Sequence, residues 1–198
     1  MATKVELFRM ALANIGISSV LASDTEEAKE ARICRTYYDT CVETILEAHH
    51  WNFARKRVGL SLLTATAPTN WAYAYAYPSD CVACKEIVSA QRVPRNDQRI
   101  PYEVCLVDDA KVICTDQEDA ELIYTSRVSD PTKWPAVFTR AFCYLLASDI
   151  TLPMSAKPDI ANRCVQAYNM LVSQAAAAAL NEGFDGPEPD GEFLASRA

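Results

Sequence analysis

The feature that most constrains this chain is a change of hydrophobic period partway along it, followed by a change back. Up to His50, apolar side chains recur three and four residues apart. From Phe53 to Val128 they come in short runs with two-residue alternation, and after Pro131 the helical spacing returns. A helical stripe and a strand face need different periods, so one segment cannot serve as both. The chain must therefore hold helices at its two ends and strands between them.

Thr3 and Glu6 stand at capping-box spacing, and Gly16 can supply a left-handed terminating residue, which predicts a helix over Thr3–Ile15. Val5, Phe8, Leu12 and Ile15 form its apolar stripe. A second helix is predicted from Asp24 to His50, capped by Ser23 with Glu26 or by Asp24 with Glu27. Ala31, Cys34, Tyr38, Cys41, Ile45 and Ala48 make its inner face, while Glu26, Glu27, Lys29, Glu30, Arg32 and Arg35 decorate solvated turns. A third helix, Pro135 to Leu152, has so little polar face that it is expected at the centre, stopped by Pro153. A fourth, Pro158 to Leu180, buries Ile160, Cys164, Ala167, Leu171 and Ala175.

Strands are predicted at Val58–Leu63, Ala83–Ala90, Tyr102–Val107, Lys111–Thr115 and Glu121–Val128, with a hairpin turn at Asp108-Asp109-Ala110. Tyr73, Tyr75 and Tyr77 alternate with alanines and share one side of an extended segment. These elements predict an α+β fold. Residues 1–52 and 134–180 form a four-helix bundle, interrupted between its second and third helices by an antiparallel β insertion at 53–133. An extended C-terminal tail follows at 181–198.

The formal charge of −7 argues against a general nucleic-acid binder, which needs a clustered basic surface. Glu182, Asp185, Glu188, Asp190 and Glu192 crowd the tail against Arg197 alone. With its glycines and prolines the tail cannot build a core, yet it carries Phe184, Pro187, Phe193 and Leu194. Those side chains are expected to dock on a partner. The alanine run around Ala175, Ala176 and Ala179 suits close approach of a neighbouring helix, hence a subunit contact. The N-terminus lacks the apolar run of a signal peptide and no stretch is long enough to span a membrane, so a soluble protein made in a cytosol is expected.

Groups that could carry chemistry are few. Cys81-x-x-Cys84 with Cys105 and Cys114 could supply four thiolates to zinc, but the second pair lacks knuckle spacing, so buried thiols are expected. His49 and His50 point about 100° apart on a helix and cannot chelate one ion; they suit a helix C-terminus. Asp149, on the apolar third helix, requires a partner from another element. Arg55-Lys56-Arg57 and the loop residues Arg92, Arg95, Asn96 and Arg99 are either solvated or meet an acidic neighbour or passing DNA. No phosphate-binding or dinucleotide glycine motif is present. No catalytic residue, metal or cofactor is expected.

Several pieces occur in a suggestive order: Ala11-Leu12-Ala13-Asn14-Ile15-Gly16; Trp51-Asn52-Phe53-Ala54 with Leu60 and Leu62; Tyr77-Pro78-Ser79-Asp80-Cys81; Thr115-Asp116 ahead of Ala120-Glu121-Leu122-Ile123-Tyr124; and Trp134-Pro135 opening a helix with Ala141, Tyr144, Leu145 and Ala147. Over residues 5–175 the chain resembles the tail tubular protein A family, the head-to-tail adaptors of short-tailed bacteriophages. The resemblance implies a twelvefold homo-oligomeric ring in the virion neck, beneath the portal protein and above the tail nozzle protein. It implies a helical region and tail that dock on the portal, a β region that faces the nozzle, and a lumen through which genomic DNA passes without specific binding. It implies no catalytic residue and no membrane. The four cysteines of the β region depart from the family pattern and leave zinc open. The alternative is a DNA- or protein-binding module of packaging that forms no ring.

Overall fold

Four helices and two three-stranded antiparallel sheets build the fold in a computed structural model that describes residues 2–18, 20–64, 67–89, 99–155 and 158–181. Helix α1 (Lys4–Asn14) starts where the capping box predicts: the Thr3 amide donates to Glu6 Oε2 at 2.7 Å and the Glu6 amide to Thr3 Oγ1 at 3.4 Å. It ends in a Schellman closure. Gly16 has φ of +81°, its amide donates to the Ala13 carbonyl, and the Ile17 amide donates to the Leu12 carbonyl.

Helix α2 (Lys29–Ala48) starts later than predicted. Ser23 and Glu26 do engage local backbone: the Thr25 amide donates to Ser23 Oγ and the Ala22 amide to the Glu26 carboxylate. They shape a turn, however, and not a helix start. Arg35 holds that turn in place by donating to the carbonyls of Asp24 and Glu26 at 2.7 and 2.9 Å. Ala48, expected inside, is exposed, and Val42 and Leu46 widen the buried face.

Helix α3 (Ala136–Ser155) runs past Pro153 instead of stopping there. The proline sits in the last turn, where its missing amide removes a single helical hydrogen bond, and it faces out beside exposed Leu152. Ile150 and Thr151 are fully buried and Met154 packs on the same core, which offsets that loss. Helix α4 (Pro158–Asn181) buries Cys164, Leu171 and Ala175, with Ile160, Tyr168 and Val172 flanking them.

The helices do not close into the predicted four-helix bundle. Helix α3 lies centrally and packs against the other three, α1 and α2 barely meet, and α4 rests almost wholly on α3. The nearly all-apolar surface of α3 explains this, because it can bury a partner on every side.

The β region is also not one inserted sheet. Strands β1 (Arg55–Gly59), β6 (Glu121–Ser126) and β3 (Cys81–Ile87) form one sheet in the order β1-β6-β3. Strands β2 (Tyr73–Ala76), β5 (Ala110–Thr115) and β4 (Tyr102–Val107) form a second in the order β2-β5-β4. Central strand β6 is buried on both faces, which one sheet with one covered side cannot achieve. Leu122 and Tyr124 meet Tyr75 and Ile113 of the second sheet, while Thr125 on the opposite face meets His50 just past the end of α2. The outer face of the second sheet carries Ala74, Val112 and Cys114, covered by Leu63, Ala67 and Trp71.

Strand limits shift as well. Arg55, Lys56 and Arg57, expected to precede a strand, form exposed edge strand β1, where charge discourages further pairing. The hairpin turn is present: Asp108 and Asp109 take φ of 49° and 61° between the paired Val107 and Ala110. Tyr73, Tyr75 and Tyr77 do share one side, packed into the core between the sheets. No helix among the described residues is long and apolar enough to cross a membrane.

Candidate functional site

An open apolar groove forms where α2 hands the chain to the first sheet. Trp51 pins that crossing by donating from Nε1 to the Ile45 carbonyl at 2.7 Å. Its ring meets Phe138 edge-on at 4.9 Å, and Phe138 also meets Phe53 at 4.8 Å and Trp134 at 5.0 Å. Trp134 is fixed in turn by its Nε1 donating to the Val128 carbonyl. Trp51, Phe53, Pro135, Val137 and Phe138 line one side of the groove, and Ala175 and Ala178 of α4 leave room on the other, enclosing about 380 Å³. Such a space accepts one aromatic or branched aliphatic side chain.

Helix α4 is covered on one side by α3 and exposes two large apolar side chains. Val165 is 42% exposed and Met170 58%. Of the alanines predicted to meet a neighbouring subunit, Ala175 is turned into the helical core, because it continues the buried row of Cys164 and Leu171. Ala176 is half-buried, and the side chain of Ala179 lies outside the described residues. The large apolar side chains that α4 exposes are Val165 and Met170, which the alanine pattern missed; five residues apart, they stand about 140° apart on two flanks of the helix, with exposed Gln166 and Asn169 between them.

A basic cleft of about 400 Å³ lies at the junction of the first sheet with the helices, lined by Arg55, Lys56, Arg127 and Lys133 beside Asp130. Lys56 pairs with Asp80, whose carboxyl is held below its ordinary range chiefly by that hydrogen bond and also by the Tyr124 hydroxyl. Arg127 reaches Asp39 and Glu43 at 3.3 and 3.1 Å, and Arg57 pairs with Glu121. Arg55 and Lys133 form no ion pair among the described residues. The Arg55-Lys56-Arg57 run is thus partly neutralised within the chain. Of the predicted loop tip, Arg99 is exposed next to Ile100, which bridges to Ile87, whereas Arg92, Arg95 and Asn96 lie outside the described residues. So do the tail residues Phe184, Pro187, Phe193 and Leu194.

The four β-region cysteines do not converge. Cys81 and Cys84 approach to 3.8 Å at the core between the sheets, and Cys105 and Cys114 to 3.3 Å on the outer face of the second sheet. A sheet separates the pairs, so they cannot share one tetrahedral ion. Among the described residues no three His, Cys, Asp or Glu side chains gather at metal-binding distance. The Cys84 thiol is drawn down by its hydrogen bond with Cys81, with help from Tyr77 and Lys111.

Asp149 finds its partner on another element: the Cys41 thiol of α2 donates to Oδ2 at 3.2 Å. The histidines sit where α2 meets the first sheet. His50 Nδ1 contacts Thr125 Oγ1 at 3.2 Å and His49 packs edge-on against Trp51. Desolvation, reinforced by Lys85, lowers the pKa of both, so they act as neutral rings and not as cations at a helix end. The groove is the feature that pattern reading overlooked. Its signal was the Trp51-x-Phe53 pair directly after a helix, together with Trp134-Pro135 opening the next.

Compared with protein-family models and with curated proteins, the chain matches none.

Proposed function

We propose that this protein is a structural subunit of a head-to-tail adaptor: a homo-oligomeric, twelvefold ring that joins the portal of a tailed bacteriophage to its tail nozzle. The observation that carries the reading is the one-sided packing of α4, which rests on α3 and leaves Val165 and Met170 facing outward. Two large apolar side chains left in water gain from a neighbour that covers them. A ring built head to tail uses two different surfaces of each subunit, and the outer side of α4 is proposed as one of them. The resemblance over residues 5–175 supplies the rest. The tail beyond α4, with Phe184, Pro187, Phe193 and Leu194, docks on the portal, and the loop bearing Arg92, Arg95, Asn96 and Arg99 meets the nozzle. A chain of net charge −7 suits a channel that DNA passes without being gripped. The role is structural: Cys41, Asp149 and His50 are engaged in contacts that hold elements together.

The test is a double substitution, Val165→Asp with Met170→Asp. Both side chains are exposed, so circular dichroism should remain that of the parent while ring assembly on portal particles, seen by electron microscopy, is lost. Undiminished rings would contradict the reading. A second reading, a DNA- or protein-binding module that forms no ring, is favoured by the basic cleft around Arg55 and Lys133. It predicts that Arg55→Glu abolishes binding to DNA or an acidic protein by a chain that never joins a portal.

A further inference from the structure

In a regular strand, residues three apart stand on opposite faces and about 10 Å from one another. Strand β3 departs from this twice. Cys81 lies opposite Ser126 and Cys84 opposite Tyr124, so three steps of β3 are matched to two of β6. The same slip recurs between Cys84 and Ile87, which lies opposite Leu122. Each bulge takes up one extra residue. Cys81, Cys84 and Ile87 therefore all face the core between the sheets, while Ala83 and Glu86 pair with Thr125 and Ile123 on the opposite face. The first bulge also shortens the span. Two steps of β6 set the two cysteines about 7 Å apart along the strand, the upper end of what a disulfide bridges. Both residues are half-buried, and their sulfurs are free and 3.8 Å apart.

The surroundings favour a thiolate here. The Tyr77 hydroxyl hydrogen-bonds with both sulfurs, and the Lys111 ammonium sits over the Tyr77 ring at 4.4 Å. The pair gives up one proton easily and holds the second. The hydrogen bond from Cys81 draws the Cys84 thiol down to about 7, helped by Tyr77 and Lys111, and the same bond pushes Cys81 far up. Cys105 and Cys114 are as close, at 3.3 Å, but burial pushes the Cys114 thiol up to about 12. A readily ionised thiol that solvent reaches, beside a second thiol, is the arrangement that reacts with oxidants.

We propose that Cys84 and Cys81 form an oxidation site for hydroperoxides, in which Cys84 attacks and Cys81 resolves. The Cys84 thiolate attacks one peroxide oxygen, the O–O bond breaks, and the departing hydroxide takes a proton and leaves as water. Cys81 then gives up its proton and attacks the Cys84 sulfur; the S–S bond forms and the sulfenic hydroxyl leaves as a second water. Two thiols lose the two electrons that the peroxide gains. The bridge staples the first bulge of β3, an edge strand of its sheet. The inference does not depend on the adaptor reading.

The full chain, reduced and freed of reductant, is to be treated with hydrogen peroxide at neutral pH, alkylated after unfolding and mapped by mass spectrometry. Cys81 and Cys84 should lose two hydrogens between them, escape alkylation and recover on treatment with dithiothreitol, while the remaining cysteines are alkylated. Cys81→Ser should stop Cys84 at the sulfenic acid, captured by dimedone, and Cys84→Ser should leave Cys81 reduced. The rate at which iodoacetamide alkylates Cys84 in the folded chain should be half-maximal near pH 7, and Tyr77→Phe should move that point upward. A bridge between Cys105 and Cys114 in place of this one would overturn the proposal. So would Cys81 and Cys84 that stay open to alkylation, a sulfenic acid on Cys81 in Cys84→Ser, or an alkylation rate that rises only around the ordinary thiol value of about 8.5.

Discussion

The helical layer and the pair of sheets solve the same burial problem differently. The helices share one continuous core, in which Phe8, Tyr38, Trp51, Trp134, Phe138 and Phe142 interlock, all edge to face but for the tilted pair Trp134 and Phe142. The sheets divide a smaller apolar set between two clusters on opposite faces of β2-β5-β4 and mix in thiols and tyrosine hydroxyls. Stability is therefore concentrated in the helical layer. The β region keeps its charged edge strand and turns at the surface.

Removing the centre of the helical core tests that contrast most strongly. Phe138→Ala deletes a fully buried ring with three aromatic neighbours and is expected to cost about 3–5 kcal/mol, measured by urea unfolding. Ile113→Ala, at an equally buried site between the sheets, should cost about 2–3 kcal/mol, because a smaller side chain is removed from a smaller cluster. If Ile113→Ala proved the costlier, the contrast between the layers would be reversed.

The junction between the layers carries a pH dependence. The folded-state pKa of His49 and His50 lies below the ordinary 6.5, so the unfolded chain binds more protons in the window just below 6.5. Stability should fall as pH drops from 7.5 to 5.5, well above the range where carboxylates titrate. The urea midpoint should move less than with either core truncation, and His50→Asn should flatten the fall. A midpoint that rises on acidification would contradict neutral rings at this site.

The smallest effect is expected at the β5 hairpin. Asp109 holds a left-handed φ of 61° that glycine adopts without strain, so Asp109→Gly should stabilise by about 0.5 kcal/mol and raise the urea midpoint slightly. A loss of stability would show that the aspartate side chain contributes more than its backbone strain removes.

Local signals were legible where a few adjacent residues decide the outcome. Thr3 with Glu6 marked one helix end and Gly16 the other, and the Asp108-Asp109 turn and the tyrosine alternation were visible in the same way. Features decided across the chain were not. The pairing of Arg55 with Thr125 and of Cys81 with Ser126 joins strands far apart in sequence, so two sheets looked like one insertion. Pro153 signalled a stop that the burial of Ile150 and Thr151 overrode. The start of α2 depended on Arg35 reaching back eleven residues to the Asp24 carbonyl, and the exposure of Val165 and Met170 on which side of α4 the core lay.

The central claim, that these one-sided surfaces are completed by neighbours in a ring, is tested most directly by weighing the particles formed when the full chain is mixed with portal rings. The account predicts a complex heavier than the portal by twelve subunits, with twelvefold symmetry in projection. A chain that stays monomeric and leaves the portal mass unchanged would contradict it.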